Sequence, residues 1–367
     1  MNTRIAFLAT PLLVGALLTS CGKKDDAGTG SAKMPAGSDN GYKDVKPTEA
    51  GPVSLSASGS TFQKAFQEVA MDSFMKAHPD VKLTYGGGGS GKGRQDLSDM
   101  VVDFAGSDSA FKDADKAKIK GGDVLYFPVL LGPISVSYNV SGADKLNLSP
   151  GVLAKIMQGD IKKWNDPAIV ADNKDAKLPS EDITVVHRAD GSGTTDNFTK
   201  YLDAASGGAW KLKSGSTVDW PTAGKVQAGQ GNGGVAQIVK STSGAIGYVD
   251  LSDAKAANLK YASIKNKAGQ FIEPTAASAS AAGDSIDVKD DLTFSALDSK
   301  GDAAYPITYQ SWVIVYAKQA NPAKGAALKQ YLTYLLGDGQ KELAALDFAP
   351  LPKSLQDKAT AQLAKIQ

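Results

Sequence analysis

The chain has 367 residues, more than one hydrophobic core usually organises (roughly 250–300), so two lobes are expected rather than one. Hydrophobic residues at 42% and charged residues at 22% exclude a chain that is disordered overall, and 39 glycines point to many tight turns or close backbone approaches. Forty Lys+Arg against 39 Asp+Glu leave a net charge of +1 with no global field to recruit nucleic acid, while two histidines and one cysteine argue against a histidine-rich zinc site and a disulfide framework.

The first residues, MNTRIAFLATPLLVGALLTSC, carry one positive charge at Arg4 and an apolar run from Ile5 to Leu18. That run is too short and too weakly flanked for a spanning helix and reads as a secretory signal. Cys21 directly after Leu18-Thr19-Ser20 resembles the lipobox at which bacterial lipoproteins are cleaved and acylated. The resemblance implies a lipoprotein signal peptide over residues 1–20, lipidation at Cys21 and a periplasmic or cell-surface location anchored to membrane through that lipid; an ordinary signal peptide with an incidental cysteine is the alternative. Residues 22–51 have only Met34, Tyr42 and Val45 as sizeable apolar side chains. They cannot bury enough surface to order themselves, so residues 21–51 are read as a flexible tether.

Val53 to Ala57 alternates apolar and small polar residues as a half-buried strand does, and Gly59 ends it. Residues 60–63, S-T-F-Q, fit a capping box, and Phe62, Phe66, Val69, Ala70 and Phe74 follow at helical spacing. A strand over residues 81–85 runs into the glycine stretch GGGGSGKG; a helix after it, from about Arg94, and a buried strand over Val101 to Ala105 complete a strand-helix-strand-helix-strand order. Such an order means an α/β sheet with right-handed crossovers, whose ligand sites lie beyond the carboxyl ends of the strands. Two long extended segments, residues 124–140 and 305–317, have the look of strands crossing between two lobes, or of bulged edge strands. Between them the sequence predicts a second α/β set: a helix from Ser149-Pro150 to Met157, a strand over 183–187, a helix from about Thr194 to Leu202 and a strand over 245–249. An amphipathic helix ending at Gly337 or Gly339 follows.

Three glycine- or serine-rich turns each follow a predicted strand: ASGSTF at 57–62, GGGGSGKG at 86–93 and RADGSGTTDNF at 188–198. Helix starts present unpaired N–H groups and partial positive charge, and glycine lets those groups approach an anion closely. Arg188 adds a planar fork suited to a tetrahedral oxyanion. Asp108, in VDFAGSDSAF, would repel a fully ionised anion, yet it can accept a hydrogen bond from a ligand that still carries a proton, as HPO₄²⁻ does and sulfate does not.

These segments, with STVDWP (216–221), GNGGVAQ (231–237) and GAIGYVD (244–250), resemble in the same order the phosphate-binding proteins of bacterial high-affinity phosphate ABC importers. The resemblance covers about residues 53–353 and implies a two-lobed α/β periplasmic binding protein fold of type II. Each lobe is then a mixed sheet flanked by helices, with lobe I at 52–136 plus 309–367, lobe II at 137–308, and two crossing strands between them. It implies that inorganic phosphate is captured in the cleft and delivered to an ABC permease with its ATPase by a monomer that has no cofactor, no metal, no catalytic residue and no nucleic-acid partner. Residue by residue, it implies that the Thr61 and Phe62 amides and the Thr61 hydroxyl, and the Ser90 hydroxyl and amide, donate to phosphate. Asp108 then accepts the phosphate proton, Arg188 pairs with phosphate while held by Asp190, and Ser192, Gly193 and Thr194 donate from a helix start. Ser60 departs from the family pattern, where a small apolar residue is expected, and Lys92 adds a cation near the glycine loop.

Competing readings stand beside this one. The run from Gly86 to Lys92 approaches the nucleotide cradle G-x-x-x-x-G-K-[ST], but Gly93 replaces the magnesium-binding hydroxyl. ADGSG at 189–193 misses G-x-S-x-G by Asp190. A secreted phosphatase with Ser192 or Thr194 as nucleophile, or a binder of another tetrahedral oxyanion, remains the alternative function. Ser60 and Gln63 can serve as plain helix caps, Asp190 as another, and the four tryptophans as lobe packing.

Overall fold

The structure, a computed structural model, describes residues 52–367 apart from residue 223. The expected signal peptide, the Cys21 lipidation site and the tether lie outside the described residues.

The chain opens with β1 (Val53–Gly59), α1 (Lys64–Ala77), β2 (Val81–Gly88), α2 (Ser90–Ser98), β3 (Phe104–Ser107), the single-turn α3 (Asp113–Lys116) and the long β4 (Val124–Asn139). It continues through β5 (Asn147–Leu148), α4 (Pro150–Met157), α5 (Pro167–Asp172), β6 (Thr184–Arg188), α6 (Gly193–Ala205), β7 (Lys225–Gly229), α7 (Gly231–Ser241), β8 (Ala245–Asp250) and α8 (Leu251–Ala256). Three short strands, β9 (Lys260–Tyr261), β10 (Ser263–Lys265) and β11 (Phe271–Ile272), lead through α9 (Ala276–Gly283) to β12 (Thr308–Tyr316), α10 (Pro322–Leu336) and α11 (Lys353–Gln362).

The main sheet has the order β2-β1-β3-β12-β4-β8-β6-β7, with β9 also on β4. Its two-lobed character comes from β4. Residues from Val124 to Pro133 pair with β12, whereas Ile134 to Asn139 pair with β8, so one strand serves both halves of the sheet. β12 begins where those halves meet, with Thr308 opposite Pro133. Pro128 cannot donate to the ladder, and the register shifts beside it, between Ser311 and Trp312, as expected for proline inside a paired strand. Parallel pairs β1·β2 and β1·β3 in one half, and β6·β7 and β6·β8 in the other, send their carboxyl ends toward the three turns.

Several local expectations are corrected. α1 starts at Lys64, so Phe62 precedes it, and Val69 is exposed while Phe66, Ala70 and Phe74 are buried. Only half of the 60–63 capping box forms: the Phe62 and Gln63 amides donate to Ser60 Oγ at 3.1 and 3.4 Å. Gln63 turns inward, donating to Ser311 Oγ and the Trp312 carbonyl instead of back to residue 60. α2 begins at Ser90 rather than near Arg94, because Gly89 at φ 89° turns the chain from β2 straight into a helix. The strand expected at 101–105 runs from 104 to 107, since Met100 at φ 61° reverses the chain and leaves Val101 66% exposed. Ser149 precedes α4 as expected, yet its side chain makes no cap; Pro150 occupies the first turn, and the Ser149 amide donates to Asp172.

Candidate functional site

Asp108 lies just past β3 and is 1% exposed. Ser60 Oγ donates to its carboxylate (2.7 Å to Oδ1, 2.8 Å to Oδ2), Ser90 Oγ to Oδ2 at 3.0 Å, and Ser311 Oγ to Oδ1 at 2.5 Å. The directions are fixed by what else each oxygen touches. Ser60 Oγ already accepts the Phe62 and Gln63 amides and Ser90 Oγ the Asp108 amide, so each hydroxyl proton has only the carboxylate to go to. Burial pushes the Asp108 pKa up to about 6, against the pull of the Ser311, Ser60 and Ser90 hydroxyls and the Arg188 charge.

The opposing group sits at the end of β6. Arg188 is 5% exposed, and its Nε donates to Asp190 Oδ1 at 2.8 Å while its second terminal nitrogen pairs with Asp190 Oδ2. The remaining nitrogen donates to Asn232 Oδ1 at 2.7 Å and reaches Thr194 Oγ1 at 3.4 Å. Burial alone would raise the Asp190 pKa, but Arg188 and the Gly231 amide hold it below the ordinary carboxylate value. A guanidinium clamped on one edge and presented on the other is suited to gripping an oxyanion. Ser192 is the N-cap of α6, accepting the Thr195 amide at 3.0 Å, which leaves its hydroxyl proton to donate.

The turns meet in space. An added Cβ on Gly193 would lie 2.4 Å from Ser90 Oγ and 2.6 Å from Asp108 Oδ2, and one on Gly89 would lie 2.3 Å from Asp190 Oδ2. The Gly91 amide donates to the Gly191 carbonyl at 2.8 Å. Asn197 Nδ2 donates to both the Asp108 and Gly193 carbonyls at 2.8 and 2.9 Å, and the Asn232 amide reaches Thr61 Oγ1 at 3.4 Å. Thus Ser90, Asp108, Arg188, Asp190, Gly193 and Thr194 share one buried cluster, with Thr61 and the Phe62 amide on its α1 side. The Phe62 ring faces away and packs on Tyr309 and Phe348 at 4.0 and 5.0 Å. Lys92 does not join them. It pairs with Asp96 on the outer side of α2, and its stem covers Gly88.

Sequence reasoning missed Asn197, Asn232 and Ser311. Asn232 opens α7 inside GNGGVAQ, so a glycine-rich helix start was a usable signal. Asn197 lies in the DNF of the third turn's own helix, one turn beyond Gly193. Ser311 had none, because it lies within an apolar strand and reaches Asp108 only through the β3·β12 pairing. Among the described residues no group of three His, Cys, Asp or Glu is arranged to hold a metal ion. His187 stacks on Trp220 at 4.9 Å, and burial lowers its pKa.

Residues 45–339 match the model of the PBP superfamily domain. The chain is 37% identical over 361 residues to the phosphate-binding protein PstS 3 of Mycobacterium leprae, covering 95% of this chain and 94% of that one. It is 38% identical over 324 residues to the phosphate-binding protein PstS of Methanocaldococcus jannaschii, covering 82% and 83%. Among solved structures, the phosphate binding protein of Stenotrophomonas maltophilia superposes with a TM-score of 0.67 at 19% identity, over 84% of this chain and 94% of that one.

Proposed function

The chain belongs to the PstS phosphate-binding proteins of the PBP superfamily, and from that premise we propose that it captures inorganic phosphate between its lobes and hands it to an ABC importer. The observation that carries this reading is the hydrogen-bond count at Asp108. A carboxylate offers about four acceptor positions, and three hydroxyl protons, from Ser60, Ser90 and Ser311, fill three of them. One position is left over. A ligand that brings a single proton beside its negative oxygens fills it, whereas a fully ionised one sets charge against charge.

In this reading Arg188, braced by Asp190, takes the anionic edge; the Thr61 and Ser90 groups and the Phe62 amide donate from one lobe, and Ser192, Gly193 and Thr194 from the start of α6 in the other. Lobe I comprises 52–136 and 309–367 and lobe II 137–308, a division supported by the change of partner along β4 at residues 133 and 134. Closure about that junction buries the anion and gives a permease a shape that reports loading. No reaction is required. The protein works as a monomer outside the cytoplasm, tethered by lipid at Cys21; among the described residues no helix is long and apolar enough to cross a membrane.

Calorimetric titration of phosphate into protein unfolded and refolded to strip carried-over ligand tests this directly. One-to-one binding that an excess of sulfate leaves untouched is expected at pH 8, well above the Asp108 pKa of about 6. Binding that sulfate competes away would overturn the acceptor role of Asp108, and turnover of phosphate esters lost on changing Ser192 or Thr194 would favour a phosphatase.

A further inference from the structure

Gln63 is fully buried and plays no part in the ligand contacts described above. Its Nε2 donates to Ser311 Oγ at 2.7 Å and to the Trp312 carbonyl at 2.9 Å. Its Oε1 accepts from Gln67 Nε2 at 2.8 Å, and Gln67 Oε1 accepts from the Tyr331 hydroxyl at 2.7 Å. Gln63, Gln67, Ser311 and Tyr331 are all 0% exposed, so water does not compete for these bonds.

One backbone group fixes the sense of every bond. The Trp312 carbonyl can only accept, so the Gln63 atom facing it is the amide nitrogen, and the same nitrogen faces Ser311 Oγ. Ser311 therefore receives a proton there and has one acceptor left for its own, Asp108 Oδ1 at 2.5 Å. The other end of Gln63 must accept, which sets Gln67 as its donor and Tyr331 as the donor to Gln67. Chains of hydrogen bonds pointing one way polarise one another.

We propose that Tyr331, Gln67, Gln63 and Ser311 form a one-way hydrogen-bond relay through the core of lobe I, and that this relay commits Asp108 to accepting, so that buried residues outside the site set how firmly it demands a protonated ligand. Selectivity then has a source in positioning residues that never touch the ligand. The other ionisable groups facing Asp108 are the guanidiniums of Arg188 and Arg94, which favour its charged form, and the phenols of Tyr85 and Tyr309, which burial keeps protonated. None of them belongs to the relay, so a change in it leaves their contribution in place.

The test is the titration of the Asp108 side-chain carboxyl in the ligand-free full chain, followed by ¹³C resonance and assigned with Asp108→Asn, beside the pH profile of sulfate competition against phosphate. Gln63→Met keeps the volume and removes the donor to Ser311 but not the Ser311 bond to Asp108, so the Asp108 titration is expected to move up by about a third of a pH unit, the cooperative share of one hydrogen bond to a charged group. Sulfate should then compete about twofold better at pH 7. Gln67→Met and Tyr331→Phe, progressively further along, should move it in the same direction by progressively less. A merely structural role would lower the melting temperatures and leave the titration where it was. An unmoved titration in folded Gln63→Met overturns the relay. If that variant does not fold, Ser311→Ala removes the last donor alone, and an unmoved titration there overturns it equally. The selectivity half rests on the acceptor role of Asp108 proposed above: a titration that rises while sulfate stays excluded overturns that role and leaves the relay standing.

Discussion

At the scale of single residues, the chemistry turns on where one proton sits. Asp108 in the ligand-free fold has its pKa raised by burial to about 6, whereas sulfate brings no proton of its own. With Asp108 as the proposed acceptor, sulfate should occupy the site only when Asp108 is protonated. Its apparent affinity should fall about tenfold per pH unit above about 6 while that of phosphate stays much flatter, a contrast that competition titrations between pH 5 and 8 would measure. The same raised pKa has a stability consequence of definite sign. The native protein holds a proton at Asp108 that the unfolded chain has released, so between the ordinary carboxylate value and about 6 stability drops as pH rises. Asp108→Asn removes that dependence. Relative to the parent, the ligand-free variant should gain on the order of 3 kcal/mol on going from pH 4 to pH 8, whatever pH-independent cost the amide brings, as denaturant unfolding at the two pH values would show. A variant that tracks the parent at both would mean the carboxyl is not held near 6. Asp108 was legible in the sequence because a carboxylate among oxyanion donors is anomalous. Its hydroxyl partner Ser311 was not, because nothing in YQSWV distinguishes a serine that faces a buried carboxylate from one in an ordinary strand.

Among the elements, the three turns use glycine for two different purposes, and the geometry separates them. Gly93 of α2 faces its own lobe: an added Cβ would lie 2.6 Å from the Gly59 Cα and 2.7 Å from the Ser58 carbonyl, both backbone. Gly193 of α6 faces the other lobe, at Ser90 and Asp108. Gly93→Ala should therefore destabilise the fold by about 1–3 kcal/mol, the usual range for overpacking, while leaving the cleft unobstructed, whereas Gly193→Ala sets a methyl against Ser90 and Asp108 and should weaken phosphate binding at least a hundredfold. Calorimetry on both variants discriminates the two; equal loss of phosphate affinity in both would remove the distinction. The turns themselves were readable, because each is a strand end followed by glycine or serine and then a helical pattern. Their boundaries were less so. Glycine lowers helix propensity, so residues 90–93 read as loop, yet a single positive-φ residue at Gly89 is enough to start the helix at Ser90. The strand at 104–107 was displaced by the apolar look of Val101 and Val102, which a residue in the left-handed region at Met100 turns out toward solvent.

For the whole molecule, the two lobes are joined by the junction in β4, by polar contacts around the cleft and by apolar packing beside β12. The polar ones include the Gly91 amide on the Gly191 carbonyl, Asn197 on Asp108, Ser109 on Asp196, Asn232 on Thr61, Thr194 with Tyr309 and Lys255 on Asp347, while Phe294 packs edge-on against Trp312 at 5.7 Å. The cleft contacts themselves gain little from apolar burial, so in the proposed reading the anion adds the bonds that favour closure there. The two long extended segments were visible in the sequence as candidates for crossing strands, but which residues change partner was not, since pairing is decided between segments nearly 180 residues apart. A ligand that binds only the native state stabilises it by about 2.7 kcal/mol at a hundred times its dissociation constant. The melting temperature of the parent should therefore climb by several degrees in saturating phosphate at pH 8 and stay still in sulfate. At pH 5, with Asp108 protonated, sulfate should raise it as well. Gly193→Ala should lose the rise under both conditions, because its methyl obstructs the cleft. A variant that keeps the full phosphate-dependent rise would show that the anion is gripped by one lobe alone, and the two-lobed account of capture would fail with it.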